Sequence, residues 1–94
     1  MKKVIINENS YEIIENDNNC FDEEEIKQKL IDTDYFSNFD YIFGDYSYDK
    51  VRLKGFNDSK NSEVKRINDI KQLDNYKKNY CSYGSNTFLL KKIN

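Results

Sequence analysis

At 94 residues the chain has room for one modest core, since folding at this length buries only about 60–65% of the surface the unfolded chain exposes. Hydrophobic residues make up 37% and charged residues 34%, with a mean hydropathy of −0.96, yet 8 Tyr and 6 Phe supply the rings from which a core can be built. The net charge is only −2, histidine is absent and there are 2 cysteines, which excludes imidazole acid–base chemistry, histidine ligation and a four-ligand structural zinc site.

Lys3 to Asn7 and Ser10 to Glu15 are strand-length runs rich in β-branched residues. The polar Asn7, Glu8 and Asn9 between them predict a hairpin. Turn residues Asp17, Asn18 and Asn19 follow. Asp22 then stands three residues before Glu25, with Phe21 placed to staple against Ile26, so a helix is predicted to start at Asp22. The acids Glu23, Glu24 and Glu25 suit its N-terminal dipole. Glu23 with Lys27 and Glu25 with Lys29 are i, i+4 pairs in the favourable order, and Ile26 and Leu30 supply the buried stripe.

Tyr35, Phe36 and Phe39 predict a short turn over the core, and Tyr41, Ile42 and Phe43 begin a strand. Lys50 to Phe56 alternates, with Val51 and Leu53 on one face and Lys50, Arg52 and Lys54 on the other, which predicts a second hairpin joined through Tyr46 to Asp49. Gly44 and Gly55 inside strand patterns indicate a bulge or a close backbone approach. Asn57 to Arg66 is polar and predicts a mobile loop. A second helix is expected from Asp69 and Gln72, with Ile70, Leu73, Tyr76 and Tyr80 along one face and Gly84 as its left-handed cap. Asn86 to Ile93 closes the order as a strand. The fold class is therefore α+β: residues 1–94 as a single compact domain in ββ-α-ββ-α-β order, a largely antiparallel sheet with both helices packed on one side.

The stretch Asp40-Tyr-Ile-Phe-Gly-Asp-Tyr-Ser-Tyr-Asp-Lys-Val-Arg-Leu-Lys-Gly-Phe56 resembles the signature of the YutD-like family of small Firmicutes-type bacterial proteins, approximately D-Y-I-V-G-D-W-x-Y-x-x-L-R-L-K-G-F. Tyr11 to Glu15, Phe21, Tyr80-Cys81, Gly84 and Phe88 to Lys92 extend the likeness over nearly the whole chain. Tyr46 stands where the pattern has tryptophan and Ser47 where it often has glycine. The resemblance implies a compact α/β fold and a bacterial cytosolic setting, and carries over no catalytic residues.

The sequence itself agrees on location. Val4 to Ile6 is too short for a signal-peptide core, and no run approaches the ~20 residues of a membrane span, so a cytoplasmic protein without membrane association is expected, its thiols Cys20 and Cys81 reduced and structural. Charge is unevenly spread. Residues 1–49 hold four cations and thirteen acids, a balance of −9, whereas residues 50–94 hold eleven cations and four acids, a balance of +7. Either the halves neutralise each other within one fold, or the basic half meets an anionic partner.

The second option has a candidate site. Lys50, Arg52 and Lys54 occupy alternate positions about 6.6–6.8 Å apart on one strand face. Tyr46 and Tyr48 are expected at the adjoining hairpin tip, and rings beside cations suit stacking on unpaired bases while neutralising phosphates. The leading expectation is a small binding module for RNA, a ribonucleoprotein or another polyanion through these five residues. A bland reading competes with it: a solvated strand face whose lysines discourage edge pairing. The alternative function is a protein–protein interaction adaptor or regulator. A third, a metal-dependent hydrolase using Asp40, Asp45 and Asp49, is disfavoured, because Arg52 stands where such patterns place an acid before Lys54 and turn chemistry accounts for Asp45 and Asp49. No catalytic residue, metal ligand or cofactor is expected.

Overall fold

The computed structural model describes residues 2–31, 33–47, 50–80 and 85–93. The first hairpin pairs β1 (Lys3–Ile6) with β2 (Asn9–Asn16) through a two-residue turn in which Asn7 and Glu8 both have positive φ, 51° and 69°. That conformation matches the twist of the flanking strands. The second hairpin pairs β3 (Tyr41–Ser47) with β4 (Lys50–Phe56). β5 (Asn86–Lys92) inserts between the hairpins, antiparallel to both β2 and β3, giving the order β1-β2-β5-β3-β4. The α+β class and antiparallel sheet are those the sequence predicts.

α1 (Glu23–Leu30) starts as expected: Asp22 accepts a hydrogen bond from the Glu25 backbone N–H at 3.2 Å, and Lys27 bridges to Glu23 at 2.8 Å. Glu25 turns to the Tyr46 hydroxyl rather than serving only the helix surface. The second helix differs at its start. Asp69 caps a 3-10 turn, Ile70–Gln72, by accepting from the Lys71 N–H at 3.0 Å, and α2 (Leu73–Tyr80) follows it. The predicted cap Gly84, like Cys81, lies outside the described residues.

The helices do not share a side, which corrects the predicted layering. α1 lays Ile26 and Leu30 on the face bearing Val4, Ile6, Tyr11, Ile42, Phe88 and Leu90. α2 lays Leu73 and Tyr76 on the opposite face, over Phe43, Phe56 and Leu89. Successive strand residues point to opposite faces, so Ile42 with Phe43, and Leu89 with Leu90, can all be buried only if both faces are covered.

Two close approaches require glycine. A side chain on Gly44 would enter the Phe88 ring, and one on Gly55 would enter the Phe39 ring. The polar segment after β4 is tied down rather than free. Asp40 accepts from the Asp58 N–H at 2.9 Å and from the Asn61 side chain at 2.8 Å, and the Asn57 amide oxygen accepts from the Asp40 N–H at 3.1 Å.

Candidate functional site

Alternation along β4 does place Lys50, Arg52 and Lys54 on one face, the one α2 covers, but each has a different environment. Asp45, directly opposite Arg52 across the β3–β4 pair, is 1% exposed. The Arg52 guanidinium grips it side-on, Nη2 to Oδ2 at 2.7 Å and Nε to Oδ1 at 3.3 Å, and also donates to the Tyr80 carbonyl at 2.8 Å. Such a fork both neutralises a buried carboxylate and ties the C-terminal end of α2 to the sheet. Asp45 is thus a mid-strand ion-pair partner and not the turn aspartate the sequence suggested. Lys54 is half-buried, its ammonium 5.2 Å from the centroid of Phe56 and 5.5 Å from that of Tyr76, attracted by both ring faces. Lys50 is exposed at the strand's start.

The expected tyrosine tip is not assembled beside these cations. β3 continues through Ser47, so Tyr46 is a strand residue one step from Asp45, and alternation turns it to the α1 face. There it packs near Phe88 and its hydroxyl donates to Glu25 Oε1 at 2.8 Å. Burial, reinforced by that hydrogen bond and the Glu25 charge, holds its phenol above the ordinary range. Tyr48 and Asp49 lie outside the described residues. Of the carboxylates considered for a metal, Asp40 serves the backbone after β4 and Asp45 serves Arg52. Cys20 is partly buried, its thiol raised by burial and by Asp17, and its Sγ reaches the Thr87 carbonyl at 3.4 Å.

A larger feature runs along the outer edge of β4. One hollow of about 490 Å³ lies between α2 and the segment before it, bounded by Lys54, Arg66, Ile67, Tyr76 and Tyr80 with the amides of Gln72, Asn75 and Asn79. A second, of about 390 Å³, shares Lys54, Ile67 and Tyr76 and continues past Leu53 and Gly55 to Tyr35, Phe36 and Phe39. The two adjoin at these three side chains and are called the groove below. Its rim carries three large side chains turned to solvent: Ile67 at 74% exposure, Tyr80 at 64% and Tyr35 at 60%. Among the described residues its charged lining is Lys54 and Arg66, with no carboxylate.

The sequence placed Tyr80 on a helix face with Tyr76, and its ring does lie against that of Tyr76, at 5.0 Å between centroids, but it stays open to water. Ile67 gave no signal at all, since one isoleucine in a polar stretch is ordinary in either setting.

Comparison with known proteins accords with this architecture. The family described as "Putative antitoxin YutD-like" matches residues 5–91. The chain belongs to the YutD-like family. A relative from Bacillus subtilis strain 168, described as "Putative antitoxin YutD", is 36% identical over 90 residues, which cover 96% of this chain and 97% of the relative. The solution NMR structure of protein yutD from B. subtilis superposes with a TM-score of 0.78 at 34% identity, covering 99% of this chain and 83% of that one. YutD-like membership accounts for the signature through β3 and β4, whose Gly44, Asp45, Arg52 and Gly55 are the ring contacts and the ion pair just described. No described helix is long and apolar enough to cross a membrane.

Proposed function

We propose that this YutD-like chain is an antitoxin-type binding module that holds a protein partner in the groove between α2 and the edge of β4. The observation that carries the reading is the rim. Single exposed hydrophobics are ordinary, but Ile67, Tyr80 and Tyr35 border two adjoining hollows, as at surfaces that become buried on association. Tyrosine also suits such a rim, because its ring contributes apolar area while its hydroxyl tolerates water. The relatives' description as antitoxins favours a protein as occupant. The polyanion reading through Lys50, Arg52, Lys54, Tyr46 and Tyr48 has weaker support, since Asp45 meets the charge of Arg52 and Tyr46 faces Glu25 on the other side of the sheet.

The test is affinity purification of the tagged chain from the cells that make it, with nuclease treatment throughout, beside the variant Ile67→Arg. One stoichiometric protein partner retained by the wild type and lost by the folded variant is the expected result. Recovery of RNA and no protein, with retention that falls steeply between low and moderate salt, would overturn it in favour of the polyanion reading.

A further inference from the structure

Lys54 and Arg66 line the groove without a counter-charge among the described residues. The ion pairs found there join Lys27 to Glu23, Arg52 to Asp45 and Lys77 to Glu15, and none reaches these two. The wall that α2 and the turn before it present is uncharged as well. Gln72, Asn75 and Asn79 recur at three- and four-residue spacing, the stripe of one helix face, and Asp74 is not among the lining. The imbalance extends past the groove, since residues 50–80 carry nine cations and four acids, a balance of +5.

A partner that covers this surface takes Arg66, and Lys54, already half-buried, out of water. Burying a cation is costly unless an acid and hydrogen bonds arrive with it. A purely apolar partner would strand both charges. The rim calls for apolar area at the same time: Ile67 and Tyr80 stand open at one end, and the rings of Tyr35 and Phe39 meet edge to face at 5.2 Å at the other.

From this we infer that the partner docks through an acidic and apolar element: an aliphatic or aromatic side chain fills the hollow between Ile67 and Tyr80, and flanking Asp or Glu carboxylates meet Lys54 and Arg66. The inference rests on the proposed protein-docking role and adds the chemistry of what docks. The planar fork of Arg66 suits a carboxylate bound through two parallel N–H bonds, whereas Lys54 acts as a point charge held over the rings of Phe56 and Tyr76. The amides of Gln72, Asn75 and Asn79 offer donors and acceptors to the partner's main chain. Complementary charge of this kind speeds encounter and rejects basic competitors. A protein element is favoured over a phosphodiester chain, which brings a charge with every nucleotide, whereas here two cations border the aliphatic Ile67.

The probe is phenylpropionate, the smallest joining of a ring to a carboxylate, with phenylpropylamine as its cationic counterpart, titrated into the full chain with chemical shifts read by NMR. Phenylpropionate shifts the Ile67, Tyr76 and Tyr80 resonances and binds at least tenfold more tightly than phenylpropylamine. Arg66→Glu removes that preference and Arg66→Lys keeps it. Equal binding of the two probes, or no shift at the groove with phenylpropionate, overturns the inference. In the affinity purification Lys54→Gln and Arg66→Glu report on the charges, and Ile67→Ala reports on the apolar rim with the charge unchanged. Loss of the native protein partner by at least tenfold in folded Arg66→Glu, with retention in Arg66→Lys, supports acid recognition. If both charge variants keep a partner that Ile67→Ala loses, groove docking stands and acid recognition falls. If all three keep it, docking in the groove falls as well, and RNA retained through Lys54 and Arg66 in place of a protein overturns both.

Discussion

Replacing Arg52 by Ala tests whether the β3–β4 ion pair holds the groove-bearing half of the molecule together. At a charge separation of about 4 Å and an effective dielectric of about 20, the attraction to Asp45 is roughly 4 kcal/mol. The Arg52 side chain is 51% exposed while that of Asp45 is 1% exposed, so solvent screening reduces this to about 2 kcal/mol. Loss of the bond to the Tyr80 carbonyl adds about 0.5–1 kcal/mol, for a total of about 2–3 kcal/mol. In a domain of this size that lowers the melting temperature by about 10–20 °C. Urea titration of Arg52→Ala, Asp45→Asn and the double variant measures it, with the double variant costing less than the sum by about 1–2 kcal/mol. Arg52→Lys keeps the charge, loses the fork and falls between, at about 1 kcal/mol. A melting temperature for Arg52→Ala within about 2 °C of wild type, or a cycle without coupling, would refute the reasoning.

Gly44→Ala forces a methyl into the fully buried Phe88 ring and costs about 2–3 kcal/mol by urea melt; Phe88→Leu, which removes the obstructing ring, makes the second substitution cheaper than in the wild type. Tyr46→Phe loses the bond to Glu25 and costs about 1 kcal/mol at pH 7. Because the folded chain retains the Tyr46 proton that the unfolded chain gives up near pH ~10, this contribution is full below that pH and is lost as pH rises toward the raised folded value. Wild type therefore loses stability faster than Tyr46→Phe above pH ~10, and parallel alkaline slopes in urea melts would show that the phenol is not held.

Local chemistry was the legible part of this fold. The Asp22 cap, the β1–β2 turn and the alternation of β4 each depend on residues within a few positions of one another, and each is where the pattern puts it. The layering has a signature as well: Tyr41, Ile42 and Phe43, and again Phe88, Leu89 and Leu90, are consecutive apolar residues, the mark of strands covered on both faces. The site was not legible. Spacing places Lys50, Arg52 and Lys54 on a common face but cannot tell that Asp45 lies directly across from Arg52, because that depends on hairpin register. Taking the turn to begin at Tyr46 had the same origin, since two more strand residues turn that ring from the tip to the interior.

The central place of β5 bears on the order of assembly. A ribosome releases both hairpins well before residues 86–92, and until those arrive β2 and β3 each present a bare inner edge to whatever chain is near. β5 is thus the wedge that closes two half-built sheets at once. A released chain truncated before Asn86 should be the species that clumps or recruits chaperones.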